Sequence, residues 1–322
     1  MLAAGVRENR DAVPKPAPTA DCYLIVVTFN SARDIGGLLD SRARAAPGKA
    51  LRTIVVDNAS SDNTRVRASA YNDVTVIDAG ENLGYAGGIN LGRVAVPKDC
   101  PVLVLNPDVS LGEGSITRLL QALEDPTVGV AVPMIIDADG STYPSLHREP
   151  SILRALGDAA LGSRLPGRPS WLSETFLESA SYRSAADIDW ASGAALMISP
   201  ECDAAVGGWD AETFFLYSEE TDFAVRAREA GFAVRYVPDA RVQHRGGGSG
   251  RTSALVALMA VNRIRYVRKH HGRLWAALYR GIVAAHAVAR IWMPAHRLAL
   301  RHVLRSSLWK TLPGGRTGCD PR

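Results

Sequence analysis

Two short acidic clusters carry the side chains of this chain best suited to chemistry. The first is Asn106-Pro107-Asp108, which follows directly on the apolar run VLVL at 102–105. A run of that length and composition reads as a buried strand, so Asp108 stands where a strand ends. In open α/β sheets ligands sit outside the carboxyl ends of strands, and a lone carboxylate there is placed to hold a divalent cation on a diphosphate. Pro and Asp are also ordinary turn formers, so turn chemistry is the competing reading of the same residues. The second cluster is Glu219-Glu220-Thr221-Asp222, three acids within four positions at the expected start of a helix. Acids there complement the helix macrodipole, and the residues alone leave that role and a catalytic one both open.

The elements that must position these clusters alternate along the chain. Residues 23–29, YLIVVTF, read as a strand that stops at Asn30-Ser31, and the helix after it carries Ile35, Leu38 and Leu39 at helical spacing. A second strand at 53–56 ends in Asp57-Asn58, followed by Ala59-Ser60-Ser61-Asp62, where Ser61 or Asp62 can cap a short helix. A third at 74–77 leads into a glycine-rich stretch from Glu81 to Gly92. After the strand at 102–105 comes a helix near 115–123, with Ile116, Leu119, Leu120 and Leu123 on one face. Such alternation predicts an α/β fold with a mostly parallel, helix-covered sheet. The glycine-rich stretch lacks the Gly-Lys-Ser/Thr ending of a P-loop and does not place GxGxxG after the first strand, which argues against a classical dinucleotide site. Gly84, Gly87 and Gly88 still permit close approach of backbone to a ligand, with Asn90 one turn into the next helix.

Beyond the apolar run 128–136, Asp137-Ala138-Asp139-Gly140 reads as a hairpin turn and residues 143–182 as an irregular acceptor-side flap or lid. Order returns at 189–198, a small-residue turn entering a strand. Next come Gly207-Gly208-Trp209-Asp210, the second acidic cluster, a helix stopped at Gly231 and a strand at 233–237.

At 322 residues, 47% apolar and 22% charged, the chain has the composition of an ordinary globular protein with a full core. Its four cysteines, Cys22, Cys100, Cys202 and Cys319, are far apart and suggest neither a zinc cage nor a disulfide framework, which fits a reducing cytoplasm. Residues 1–20 have no apolar core of signal-peptide length and read as a flexible leader. The net charge of +4 hides an asymmetry. From Arg241 onward there are 16 Lys and Arg against one acid, Asp320, whereas the residues before it hold 21 basic and 32 acidic side chains. Two helices are expected in this basic tail, near 253–271 and 273–292. Neither is apolar enough to span a bilayer. Lys and Arg beside Trp and Leu suit a membrane surface, which is the expected partner of these helices, with packing on the acidic body or an oligomer contact as the alternative. No nucleic-acid recognition module accompanies the charge.

Seven segments together resemble the inverting family 2 glycosyltransferases of the GT-A fold, in particular bacterial rhamnosyltransferases. They are VVTFNS at 26–31, VVDNASSDNT at 55–64, ENLGYAGGINLG at 81–92, LNPDV at 105–109, WASGAALMI at 190–198, GGWDAETFFLYSEETDF at 207–223 and QHRGGGS at 243–249. The resemblance implies a GT-A domain over 21–250, with a nucleotide-sugar half at 21–130, an acceptor and catalytic half at 131–250, and a basic helical extension at 251–322. It places Thr28, Asn30 and Asp57 around the nucleotide base and ribose, where a carboxylate can accept hydrogen bonds. Asn82, Gly84, Asn90 and Asn106 would border the donor. Asp108 corresponds to the metal-binding carboxylate of the family's DxD motif, which here lacks its first acid. His244 looks like the histidine that completes the cation site, with Mn²⁺ or Mg²⁺ as the candidates.

Glu220 takes the place of the family's catalytic base, one methylene longer than the commoner aspartate. Glu219 would contact acceptor or sugar, and Asp222 would position the helix or share the proton transfer. Trp190, Ser192, Gly193, Trp209 and Asp210 would line the acceptor side, with core packing the alternative for each tryptophan. The implied activity is metal-dependent, inverting transfer of a sugar to a hydroxyl of a glycan or polyprenyl-linked saccharide. The donor would be dTDP-rhamnose first and UDP-sugars next, and the setting the inner face of the cell membrane during cell-surface polysaccharide synthesis. A non-catalytic nucleotide-sugar-binding or scaffold protein is the alternative, and a homo-oligomer is allowed.

Overall fold

The computed structural model describes residues 20–162, 168–246 and 252–314. The expected leader and the glycines of 247–250 lie outside that range.

In chain order the structure comprises β1 (Cys22–Thr28), α1 (Ile35–Ala45), β2 (Leu51–Asp57), α2 (Thr64–Ala68), β3 (Val74–Asp78), α3 (Gly84–Arg93), β4 (Val102–Leu105), β5 (Val109–Leu111) and α4 (Ser115–Ala122). It continues with β6 (Val128–Ile136), β7 (Leu146–His147), α5 (Ile152–Leu161), β8 (Ala186–Ile188), β9 (Trp190–Ala191), β10 (Ala195–Ile198), α6 (Pro200–Val206), α7 (Glu219–Glu229) and β11 (Ala233–His244). Three helices close the described chain: α8 (Ser253–His271), α9 (Arg273–Val288) and α10 (Pro294–Leu304).

Nine strands form one sheet in the order β3-β2-β1-β4-β10-β6-β11-β5, with β8 also paired to β11. The run β3-β2-β1-β4 is parallel throughout, and β6 runs parallel to β11. β10 lies antiparallel between β4 and β6. Every residue of β1 is buried, as expected of a parallel strand covered on both faces. The period of two sends Leu24 and Val26 toward α1 and α4, where Ile35, Leu38, Ile116 and Leu119 meet them. Ile25 and Val27 face Ala86 and Ile89 of α3 on the other side, in a core shared with Trp209 and Phe223. A third core joins Phe214 and Val225 to Leu258, Val261 and Ile264 of α8.

Three elements differ from the sequence expectation. The stretch expected to be irregular contains α5, which starts at Ser151, whose hydroxyl accepts from the Arg154 amide at 3.3 Å. Its apolar positions point outward as well as inward, so no single-faced pattern announces it. The strand expected at 233–237 continues through Pro238 to His244, with a register shift between Val237 and Arg241. Proline lacks the ladder N–H, and such an irregularity is where a sheet accommodates it. The last expected helix stops at Val288, and α10 restarts with Pro294 in its first turn.

Candidate active site

β1 and β2 end side by side, and their last residues meet. Thr28 Oγ1 donates to Asp57 Oδ1 at 2.9 Å, and Asp57 also accepts from the Ser60 hydroxyl at 2.6 Å and amide at 2.9 Å. Thr28 and Asp57 are wholly buried. Both were expected to face the nucleotide; in this structure they are internal braces that set the shape of the loops beyond the strands. Asn30 is exposed and left-handed at φ 51°, and its Oδ1 accepts from the Ser61 amide at 2.8 Å.

The sequence reading missed Asn58. It is 2% exposed, its amide donates to Gly84 O at 2.9 Å, and its buried Oδ1 has no partner. A polar residue directly after Asp57 at a strand end was the available signal.

Gly84 opens α3 at φ 75°, and a Cβ on it would lie 2.2 Å from Phe215 O. Only glycine fits that approach. Asn82 Oδ1 accepts from the Gly84 amide at 3.0 Å. The next residue, Tyr85, donates its amide to Phe215 O and its hydroxyl to Gly193 O, each at 2.7 Å. The donor-side helix is thereby tied to the loop that carries the acids. Asn90, expected beside the donor, instead spends both amide atoms on Trp209: Nδ2 donates to Trp209 O at 2.8 Å and Oδ1 accepts from Trp209 N at 2.9 Å.

Asp108 precedes β5, and His244 ends β11, the strand that pairs with β5. Their side chains converge, with His244 Nε2 3.1 Å from Asp108 Oδ1. Burial alone would raise the Asp108 carboxyl, but the His244 hydrogen bond and charge outweigh it and hold it below the usual carboxylate range. No group of three His, Cys, Asp or Glu side chains gathers as a metal site among the described residues. One carboxylate and one imidazole suit a divalent cation that takes its other ligands from a diphosphate and water. Asn106 anchors the turn, its amide donating to Ala194 O at 3.0 Å.

The acids at the start of α7 have separate environments. Glu219 is 3% exposed and Glu220 partly exposed, and each has a buried carboxylate oxygen without a partner. Burial pushes the Glu220 carboxyl up to about 7. Burial, with the Glu220 charge beside it, raises Glu219 well above the ordinary range. A Cβ on Gly193 would lie 3.7 Å from Glu220 Cβ, so Gly193 leaves room directly beside the acid. Burial, and after it the charges of Glu219, Glu220 and Asp108, raise the Tyr85 hydroxyl well above its ordinary value.

Asp222 is fully buried and already engaged. Arg226 Nε donates to it at 2.9 Å, His270 Nε2 lies 2.8 Å away, and Lys269 pairs with it. These partners hold its carboxyl below the usual range against the opposing effect of burial. Two of the three come from α8. That helix also contributes Asn262, fully buried, whose Nδ2 donates to Leu216 O at 2.9 Å and Tyr217 O at 3.1 Å. Tyr217 and Ser218 are both left-handed at φ 71°, a strained pair immediately before the acids.

The expected acceptor residues divide. Trp190 is partly exposed, stacks on His147 at 4.1 Å and donates its indole N–H to Arg148 O at 3.0 Å. Ser192 is held by its amide to Ser145 O at 2.9 Å. Trp209 is a core residue, 3% exposed and stacked on Phe223 at 4.7 Å. Asp210 receives the Lys269 ammonium at 2.7 Å and the Thr213 amide at 3.0 Å. Trp209 and Asp210 build the loop rather than present a free face.

A helix-covered, mostly parallel sheet with acids converging at its edge defines the GT-A class of nucleotide-sugar transferase folds. Solved structures share it. GalNAc-T7 with UDP, GalNAc and Mn²⁺ superposes with a TM-score of 0.58 at 15% identity over 78% of this chain, which spans 48% of that longer one. The mannosyltransferase PcManGT of Pyrobaculum calidifontis, with GDP-Man and Mn²⁺, gives 0.53 at 19% identity, covering 94% of this chain and 80% of that one.

Residues 23–174 match Glycosyl transferase family 2. The chain is 32% identical over 301 residues to an N-acetylglucosaminyl-diphospho-decaprenol L-rhamnosyltransferase of Mycobacterium tuberculosis, covering 88% of this chain and 93% of that protein. It is 31% identical over 218 residues to a low-salt glycan biosynthesis hexosyltransferase of Haloferax volcanii, covering 66% of this chain and 64% of that protein. The chain belongs to glycosyl transferase family 2 and is a rhamnosyltransferase-like glycosyltransferase.

Proposed function

We propose that this enzyme transfers rhamnose, with dTDP-rhamnose as the first donor to test, to a hydroxyl of a polyprenyl-linked saccharide, with inversion. Similarity across nearly the whole length of the mycobacterial rhamnosyltransferase supports the sugar and the acceptor class. The single observation that carries the mechanism is Glu220: a carboxyl raised to about 7 with a partnerless oxygen, beside the gap left by Gly193. A base poised near neutrality can take the acceptor proton and does not stay permanently charged.

In the proposed step Glu220 removes the acceptor hydroxyl proton while that oxygen bonds to the anomeric carbon. The bond from that carbon to the diphosphate breaks, and the nucleoside diphosphate leaves with the electron pair. Glu219, kept protonated by its burial, limits the negative charge near the incoming donor. Asp108 and His244 would hold Mn²⁺ or Mg²⁺, which supplies charge stabilisation for the leaving diphosphate. Asp222 holds α7 against α8 and takes no proton. A lipid-linked acceptor supports a site of action at the inner face of the cell membrane; no helix among the described residues is long and apolar enough to cross a membrane.

The test is Glu220→Gln. Donor binding, read as a thermal shift with dTDP-rhamnose and Mn²⁺, should persist, while turnover falls at least about 10²-fold. Unchanged turnover in the variant would refute the assignment, and donor binding with no turnover by the natural enzyme would favour a scaffold.

A further inference from the structure

α9 is turned with its apolar side outward. Its exposed positions 274, 277, 278, 281, 285 and 288 follow a helical repeat and carry Leu, Ala, Leu, Gly, Ala and Val. Leu274 is 73% exposed, Leu278 51% and Val288 54%. Of its two arginines, Arg273 is exposed at the first turn and Arg280 points the other way, while Arg290 just beyond the helix folds back on it. Arg280 donates to Val303 O and lies over the Trp309 ring, and Arg290 reaches His286. α5 packs against α9 and repeats the pattern, with Leu153, Leu156 and Ala160 exposed along one stripe. Its acid, Asp158, is paired with Arg168 at 2.6 Å. A water-facing helix has the opposite arrangement, and contiguous exposed apolar area marks an interaction surface.

We propose that the stripes of α5 and α9 form one face that lies on an anionic lipid bilayer. Charge complementarity selects this occupant. Residues 241–314 contain no Asp or Glu; Arg273 is exposed at the start of α9, and Arg297 and Arg301 are exposed on α10, which packs against α9. Apolar side chains enter the headgroup boundary while the guanidinium groups meet anionic headgroups. The face deepens the reading above, in which the acceptor is lipid-linked, and adds something charge counting along the sequence did not show. The anchor is shared between the catalytic half, through α5, and the C-terminal helices, so docking fixes the orientation of the whole enzyme.

Flotation of the full chain with vesicles tests this, using phosphatidylcholine alone and mixed with phosphatidylglycerol. The natural protein should float with the anionic vesicles and less so at high salt. L274Q/L278Q and L153Q/L156Q should each weaken binding roughly tenfold per leucine, with nucleoside diphosphate release from the donor in solution unchanged. Equal flotation of natural and variant proteins would overturn the proposal. So would a natural dimer, seen by light scattering, that L274Q/L278Q splits, because the face would then be a protein contact. Vesicle binding without donor turnover would keep the face and sink the catalytic reading instead.

Discussion

Replacing Asn262 with alanine should slow the reaction without weakening the donor. The side chain is fully buried, donates to two carbonyls at 2.9 and 3.1 Å, and accepts from Arg265 Nη1 at 2.9 Å. Each such bond is worth about 1 kcal/mol net, and carbonyls left buried without partners add to the loss, so the variant should lose about 3 kcal/mol of stability. For a chain of this size that is a fall in Tm of roughly 5–10 °C. The effect on rate comes from strain. Tyr217 and Ser218 hold left-handed conformations that cost about 1–3 kcal/mol each. Asn262 is what grips the backbone on their N-terminal side. Released, the pair relaxes and carries Glu219 and Glu220 with it, and a displacement of about 1 Å at a reacting group costs on the order of 10²-fold. Donor KM should stay put, because Asn262 touches none of the loops at the ends of β1 and β2. The assay is nucleoside diphosphate release against donor concentration, run well below both melting points, with Asn262→Gln expected to restore part of kcat. A variant whose Tm falls as expected while kcat stays within about twofold would refute this reasoning, since loss of packing alone would then suffice.

The pH dependence follows from the paired glutamates. Glu220 must be deprotonated to act, so kcat/KM should climb as pH rises through about 7. Glu220 holds a proton that the unfolded chain has already released above about 4.5, so its share of the stability should decline as pH rises from there through about 7. Urea unfolding across that window should show the decline, and a shallower one in Glu220→Gln; an identical slope would mean that other groups carry it. Gly84→Ala should cost about 3 kcal/mol, from a left-handed residue and a methyl driven onto Phe215 O. An unfolding midpoint unchanged from the natural protein would show that α3 and the acid-bearing loop are not tied together there.

What could be read along the chain was what local periodicity and strand ends express. β1 and β4 are apolar runs closed by polar residues, as is the Ile54–Val56 part of β2, and Asp108 was placed at the sheet edge on that ground alone. The acids of α7 were legible as a cluster, and the pairing of Asp108 with His244 followed from a family pattern, because 136 residues separate them. The sequence therefore determined the fold class and the identity of the acids. It did not determine which acid is free to react. Glu220 and Asp222 differ by two positions, and only the packing of α8 adds Lys269 and His270 to the Arg226 that Asp222 already meets on its own helix, while a Glu220 oxygen is left without a partner. The same holds for Thr28 and Asp57, which bond to each other and, for Asp57, to Ser60 as well, and for Asn90, which grips a loop 119 residues away. The physical reason is range. Periodicity and capping act within a few residues, whereas the protonation and availability of a side chain depend on burial and on charges brought close only when distant segments pack.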